Sequence, residues 1–146
     1  MEQNIRQYLR LKLDNAVFLL PSTASLAIEK RESLTSSADS TLVAAWRETS
    51  NGRWPAYSLD SLLQPAPGPN WTRAVYLNAT PHPIGIVADE VQLVPTDLLQ
   101  IVPFHPPGRA PTTLGQIFNG AHIEGDDVFL ALEPNALITY LGSLQI

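Results

Sequence analysis

The segment from His122 to Asp127 gathers the side chains most able to bind a metal ion. Carboxylate oxygens are the ligands that hard cations prefer, and Glu124, Asp126 and Asp127 supply three carboxylates. Gly125 among acidic residues is equally typical of a solvated hairpin tip, and the segment has neither an Asp-x-Asp-x-Asp loop nor a His-x-x-x-His pair. The pattern therefore favours a hairpin turn over a metal site.

Support for nucleophilic catalysis is weaker still. His82 and His105 both adjoin prolines in predicted loops, and no Gly-x-Ser-x-Gly elbow occurs. The chain has no cysteine, which excludes a thiolate nucleophile, a disulfide, a zinc ribbon and an iron–sulfur cluster. We predict a protein that is not an enzyme and needs no cofactor. A small hydrolase or metal-dependent enzyme using the acidic segment is the least favoured hypothesis.

Large aromatic rings and a proline motif offer chemistry of another kind, which is protein binding. Tryptophan serves both cores and interface anchors. We predict that Trp46 lies in the core, whereas Trp54 is as well placed for a partner surface as for the core. Pro103–Pro106 has the Pro-x-x-Pro form of a polyproline ligand with Arg109 nearby, but a connecting loop is favoured in a chain with 13 prolines.

Composition limits the possible partners. The chain has 146 residues, enough for one domain, with 45 % hydrophobic and 16 % charged residues. Residues 1–73 carry eight basic and seven acidic side chains, net +1, whereas residues 74–146 carry one basic and seven acidic, net −6. Nucleic-acid binding therefore has almost no electrostatic support. The early apolar run Ala16–Leu20 is too short for a signal peptide or a membrane span, so we expect a cytoplasmic protein without membrane insertion.

Apolar stretches bounded by turn residues predict about eight short strands and two short helical segments, which is typical of an all-β barrel or sandwich. The predicted strands are Leu9–Leu13, Ala16–Leu20, Leu42–Arg47, Arg53–Leu59, Arg73–Leu77, Ile84–Ala88, Gln116–Ile123 and Val128–Leu132. Val91–Val94 and Leu98–Val102 are shorter apolar pieces. The helical segments are one or two turns within Ser22–Arg31 and a closing helix from Pro134 through Leu141.

Prolines and turn residues further constrain this arrangement. Asn51-Gly52 is typical of a tight hairpin turn. Pro55 cannot donate a ladder hydrogen bond, so we expect its strand to lie at a sheet edge or to begin after it. The proline-rich stretch 65–69 is predicted to be a stiff connector between two halves of one domain. Polar residues 33–41 and proline-rich residues 103–111 are predicted loops.

Five stretches resemble, in order and spacing, the CheW-like domain of bacterial chemosensory systems; they are Tyr8–Pro21, Trp54–Leu59, Arg73–Asn78, Ile84–Val91 and Gly125–Leu141. The most specific is the Gly-Ile-Val-x-Asp-x-Val block from Gly85 to Val91. The resemblance covers nearly the whole chain. It implies a single domain over residues 1–146, made of two five-stranded SH3-like barrels that share a core.

The resemblance also implies a function. Members of this family are adaptors without catalysis, which join the cytoplasmic tip of a chemoreceptor to the regulatory domain of a chemotaxis histidine kinase. The resemblance leaves open whether the output is type IV pilus motility. The alternative is a diverged interaction domain that binds a single other protein and does not couple to a receptor.

Comparison with the family pattern provides candidate partner-binding residues. Ile28 and Gly85 match the pattern, Trp54 is an aromatic anchor, and Arg73 brings a cation to an apolar groove position. The family has a glutamate in its receptor-binding groove, and the residue at the corresponding position here is Ala27.

Two further positions depart from the family pattern. In the family, the turn before the proline-containing strand carries an arginine of the groove, and this chain has Thr49–Gly52 there instead. The aspartate that often follows the proline in the family is replaced here by Ser58. Because losing one partner of a charged pair weakens binding, we predict weak affinity for a standard receptor tip.

Overall fold

A computed structural model describes residues 7–37, 42–104 and 117–144, and these contain twelve strands and one α-helix. The strands are β1 (Gln7–Leu13), β2 (Ala16–Pro21), β3 (Ser25–Lys30), β4 (Thr35–Ser36), β5 (Val43–Thr49), β6 (Gly52–Tyr57), β7 (Arg73–Leu77), β8 (Ile84–Ala88), β9 (Glu90–Pro95), β10 (Ile101–Pro103), β11 (Phe118–Glu124) and β12 (Asp127–Leu132). The helix α1 spans Pro134–Ser143, and single 3-10 turns occupy Ser22–Ala24, Arg31–Ser33 and Thr96–Leu98.

The strands form two sheets with the same pattern. Sheet 1 has the order β10-β11-β12-β2-β1-β9, and sheet 2 has the order β4-β5-β6-β8-β7-β3. Each sheet contains one parallel pair, β12 with β2 and β6 with β8, and its other pairs are antiparallel. All strands of sheet 2 come from one continuous stretch, residues 25–88, whereas the strands of sheet 1 come from both ends of the chain.

Each sheet curls into a barrel. In sheet 2, β3 and β5 are four positions apart, which in a flat sheet would separate them by about 19 Å. The carboxylate of Glu29 on β3 nevertheless lies 3.5 Å from the guanidinium of Arg47 on β5. Strands β3 and β4 are one chain segment interrupted by a 3-10 turn, and β9 and β10 are related in the same way. Counting each interrupted strand once, both barrels have five strands.

Apolar side chains divide among three clusters that match this architecture. The largest contains residues of both sheets and of α1, among them Leu11, Val75, Ile86 and Leu137. The second contains only residues of sheet 2 and its connections, and the third only those of sheet 1. The predicted all-β fold of two five-stranded barrels with a shared core and a short closing helix is confirmed.

The predicted helical turns within Ser22–Arg31 are largely wrong. After one 3-10 turn, residues Ser25–Lys30 form β3, which pairs with β7 in a regular register from Ala27 onward, with an irregularity between Ser25 and Ala27. Their burial alternates along the strand. A period of two is the pattern of a strand, and pairing with β7 outweighed the capping signal at Ser22.

Two expectations about prolines are also wrong. Pro55 lies within β6, between β5 and β8, instead of at an edge. It is tolerated because β8 pairs with β6 only from Ala56 onward, so β6 has one neighbour at Pro55. Residues 65–69 connect β6 and β7 of the same sheet, and the chain instead passes between the sheets at 22–24 and at Asp89.

The remaining hairpins are confirmed, although the predicted Asn-Gly turn has Ser50 and Asn51 at its tip and Gly52 as the first residue of β6. Residues 105–111 of the predicted proline-rich loop lie outside the described residues. Within the described part of the chain, no helix is long and apolar enough to cross a membrane.

Candidate partner-binding surface

The strands of sheet 2 separate their side chains between the barrel interior and the shared core. On β7, Val75 belongs to the shared core, whereas Tyr76 belongs to the barrel interior. Residues paired across strands point to the same face. Gly85 pairs with both Tyr76 and Ala56, so it faces the interior of this barrel.

Tyr76 explains why position 85 is a glycine. A Cβ built on Gly85 would lie 2.8 Å from Cδ1 and Cε1 of the Tyr76 ring and 3.2 Å from Cβ of Ala56. The ring therefore crosses directly over the backbone of β8, and its hydroxyl donates a hydrogen bond of 3.2 Å to the carbonyl of Trp54. The close approach at Gly85 is thus made by a side chain of the same barrel. Burial raises the pKa of the Tyr76 hydroxyl above its ordinary value.

Trp54, Arg47 and Glu29 form a half-buried group beside Tyr76, which we call the Trp54 cluster. The Arg47 guanidinium stacks 4.5 Å from the centre of the Trp54 ring and forms the ion pair with Glu29. The side chains of Arg47 and Glu29 are 32 % and 25 % exposed. The cluster thus reaches the surface at an opening of the barrel, where an aromatic ring, a cation and an anion are accessible together.

Trp46 lies on the other face of the same hairpin. It is half-buried, with the guanidinium of Arg53 at 4.3 Å from its ring, and Arg53 also forms an ion pair of 3.1 Å with Glu48. The prediction that Trp46 is a core residue is therefore wrong. The buried tryptophan is Trp71, which closes the interior of the second barrel.

The structure separates the four candidate residues into two pairs. Trp54 and Gly85 face the barrel interior, whereas Ile28 on the terminal strand β3 and Arg73 on its neighbour β7 face the exterior. Ile28 pairs with Val75 but is 41 % exposed because β3 is a terminal strand. Arg73 is half-buried, lies opposite Lys30, and forms no ion pair with a described residue.

Sequence reasoning selected neither Glu29 nor Arg47 as a site residue. It placed the groove glutamate at Ala27, but Ala27 and Glu29 are two residues apart on one strand and share a face. A period-two pattern over Ser25–Lys30, read as a strand, would have indicated that Ala27 and Glu29 lie on the same face. A glutamate–arginine ion pair is therefore present in this barrel, and the weak affinity for a receptor tip stays a prediction.

The acidic segment is the tip of the β11–β12 hairpin, as predicted. Gly125 has a φ of +62°, and Glu124, Asp126 and Asp127 are exposed. Nδ1 of His122 lies 3.0 Å from the backbone nitrogen of Gln100, and its Nε2 lies 3.8 Å from Glu124. Within residues 7–37, 42–104 and 117–144, no three histidine or acidic side chains are grouped as metal ligands.

His82 belongs to no such arrangement among the described residues. Nδ1 of His82 is 3.0 Å from the carbonyl of Pro83. The second half of the Pro103–Pro106 motif, His105 and Pro106, lies outside the described residues, as does Arg109.

Comparison with known proteins shows similarity in structure but none in sequence. No protein-family model matches the chain, and no curated protein sequence matches it. Among solved structures, the chain is similar to the scaffolding protein TtCheW from Thermoanaerobacter tengcongensis, with a TM-score of 0.61 and 14 % identity. The match covers 90 % of this chain and 86 % of that one. It shows that the two share a fold.

Proposed function

We propose that this protein is a non-enzymatic adaptor of a chemosensory system, which bridges the cytoplasmic tip of a chemoreceptor and the regulatory domain of a histidine kinase. The observation that carries the proposal is the similarity in fold to a scaffolding protein over 90 % of the chain. Such a role places the protein in the cytoplasm. Its mechanism is stoichiometric bridging, with no bond made or broken.

The Trp54 cluster is the part of the surface best suited to receptor contact. Tryptophan and arginine are enriched among the residues that dominate binding energy at interfaces. Here the ring is held by Arg47 on one side and lies 5.8 Å from the Tyr76 ring. An anchor that is already fixed loses little conformational freedom on binding.

The other candidate residues take different roles in this proposal. Gly85 acts indirectly, since it lets Tyr76 occupy the position that supports the backbone of Trp54. Ile28 offers an exposed apolar contact at the barrel edge. Arg73 and Lys30 face each other as like charges, which is unfavourable unless an anion lies near, and an acidic side chain of the partner would supply one.

Calorimetric titration of a receptor cytoplasmic fragment tests the proposal. We expect Trp54→Ala to weaken binding by about 2 kcal/mol, roughly thirtyfold in affinity. Trp46→Ala is the matched control, because Trp46 is on the same hairpin, is also half-buried and also stacks on an arginine, but lies on the other face. Equal losses in both variants would contradict the assignment of the surface.

A second titration with the kinase regulatory domain tests the bridging. We expect the wild-type protein to bind both partners at once. The Trp54→Ala variant should still bind the kinase regulatory domain. Binding of one partner alone would favour the alternative of an interaction domain without receptor coupling. Binding of neither would contradict the adaptor function.

A further inference from the structure

A small pocket lies where the two barrels meet, away from the Trp54 cluster. Its volume is about 130 Å³, and its walls come from the β1–β2 turn, residues 58–60, residues 67–71 and the end of β8. A cavity of about 150 Å³ in another protein accommodates benzene, so this pocket has room for a planar group of guanidinium size.

One wall carries a serine whose hydroxyl has no hydrogen-bond partner among the described residues. Ser58 is 7 % exposed and is the one buried polar residue among those the structure describes. Its Oγ forms no hydrogen bond with another described residue. It lies against Gly68, where an added Cβ would be 2.6 Å from Oγ, and both residues line the pocket. No described residue has a buried side-chain oxygen or nitrogen without a partner, so this hydroxyl is accessible from the pocket and can accept a hydrogen bond from a ligand atom.

The charge of the walls selects the sign of that ligand. Asp14, Asp60 and Asp89 line the pocket, and no lysine, arginine or histidine does. Oδ1 of Asp60 already accepts hydrogen bonds from two backbone nitrogens, at 2.9 and 3.0 Å. The carboxylate of Asp89 has no hydrogen bond or ion pair with a described residue, so it is available to a cation.

The composition of the walls also favours an organic cation over a metal ion. No three acidic or histidine side chains of the described chain are grouped closely enough to enclose a metal. Apolar side chains of Leu59, Val87 and Trp71 form much of the remaining wall. Pockets of this composition, with a few polar groups on an apolar lining, are typical of sites for organic groups.

We propose that this pocket binds a guanidinium or ammonium group, which donates hydrogen bonds to Ser58 Oγ and to the carboxylate of Asp89. The group comes either from a small free amine or from an arginine or lysine side chain of a partner protein. The proposal goes beyond the adaptor function and does not depend on it.

The site is tested by titrating the protein with methylguanidinium chloride or methylammonium chloride. Binding is monitored in ¹H–¹⁵N correlation spectra, and sodium chloride at equal ionic strength is the reference. We expect saturable shifts of the amides of Ser58, Gly68 and Asp89 with at least one organic cation and not with sodium. Asp89→Asn and Ser58→Ala should each raise the dissociation constant at least tenfold. Asp97→Asn, an exposed aspartate outside the pocket, is the matched control and should bind as the wild type does.

Capped arginine, N-acetyl-arginine methylamide, distinguishes the two sources. Binding at least as tight as that of methylguanidinium supports a partner side chain, and binding of the free cations alone supports a small amine. Shifts no larger than those with sodium chloride overturn the proposal, and so does wild-type affinity in both pocket variants. If Asp89→Asn loses the dispersed spectrum of a folded protein, Ser58→Ala decides alone.

Discussion

At the scale of single residues, the ring of Tyr76 leaves no room for a side chain at Gly85. We expect Gly85→Ala to lower the free energy of unfolding by about 1–3 kcal/mol, because Tyr76 is fully buried and cannot move away from a new methyl group 2.8 Å from its ring. Urea denaturation measures the change. Gly142→Ala in α1 is the control, since nothing lies within 4 Å of its added Cβ and alanine favours a helix, so stability should be unchanged or higher. Wild-type stability of Gly85→Ala would contradict this packing.

Tyr76 also makes stability depend on pH at the alkaline end. Burial raises its pKa in the folded protein above the ordinary value of 10.0, so the unfolded chain loses this proton first as pH rises. The resulting stabilisation is complete below pH 10 and is lost above it. We expect the free energy of unfolding to fall more steeply between pH 9 and pH 11 in the wild type than in Tyr76→Phe. Tyr8 and Tyr140, whose pKa values burial also raises, leave some slope in both proteins. Parallel pH curves would contradict the prediction.

The sequence was informative for some of these residues and not for others. Gly85 interrupts an apolar strand and Trp54 adjoins a proline, so each is conspicuous on its own. Glu29 and Arg47 are ordinary charged residues 18 positions apart, and only the closure of a barrel makes them neighbours. Contacts of that kind depend on the curvature of the sheet, which no local pattern records.

At the scale of elements, hairpins were predicted well and the interrupted strands were not. A hairpin such as β7–β8 has two apolar runs and a turn, all encoded locally. The segment from Ser22 to Ser36 instead combines a serine typical of a helix cap, two 3-10 turns and polar residues, and its strand character comes from pairing with β7 and β5. Local signals and tertiary pairing disagree there, and the pairing prevails.

The β11–β12 hairpin provides a prediction at this scale. Its tip carries Glu124, Asp126 and Asp127 without a compensating lysine or arginine in the hairpin, so the carboxylates repel one another. We expect a chelator to leave the melting temperature unchanged, and Asp126→Asn to leave it unchanged or to raise it slightly. Differential scanning calorimetry measures both. A drop of several degrees in either experiment would instead indicate that the tip holds a metal ion.

At the scale of the whole molecule, two barrels with one strand pattern are interleaved in a single chain. Strands β9, β1, β2, β12, β11 and β10 occupy the places in sheet 1 that β3, β7, β8, β6, β5 and β4 occupy in sheet 2. Barrel 1 takes its strands from both ends of the chain, so the two halves of the sequence do not correspond in order. Residues 65–69 therefore lie within sheet 2 and are not a boundary between the two barrels.

The shared core predicts that both barrels unfold together, as one domain. Leu11 belongs to sheet 1 and is fully buried in the cluster that joins the two sheets, whereas all three tryptophans lie on or next to strands of sheet 2. We expect Leu11→Ala to lower the free energy of unfolding by about 2–5 kcal/mol. In a single cooperative transition, the urea midpoints measured by tryptophan fluorescence and by far-ultraviolet circular dichroism should shift by the same amount, although the fluorophores are in the other barrel.

Leu93→Ala, at a position 57 % exposed, is the control and should change stability by no more than about 0.5 kcal/mol. If the fluorescence midpoint stays at its wild-type value while the circular dichroism transition splits in two, the barrels unfold separately, and the single-domain prediction is wrong.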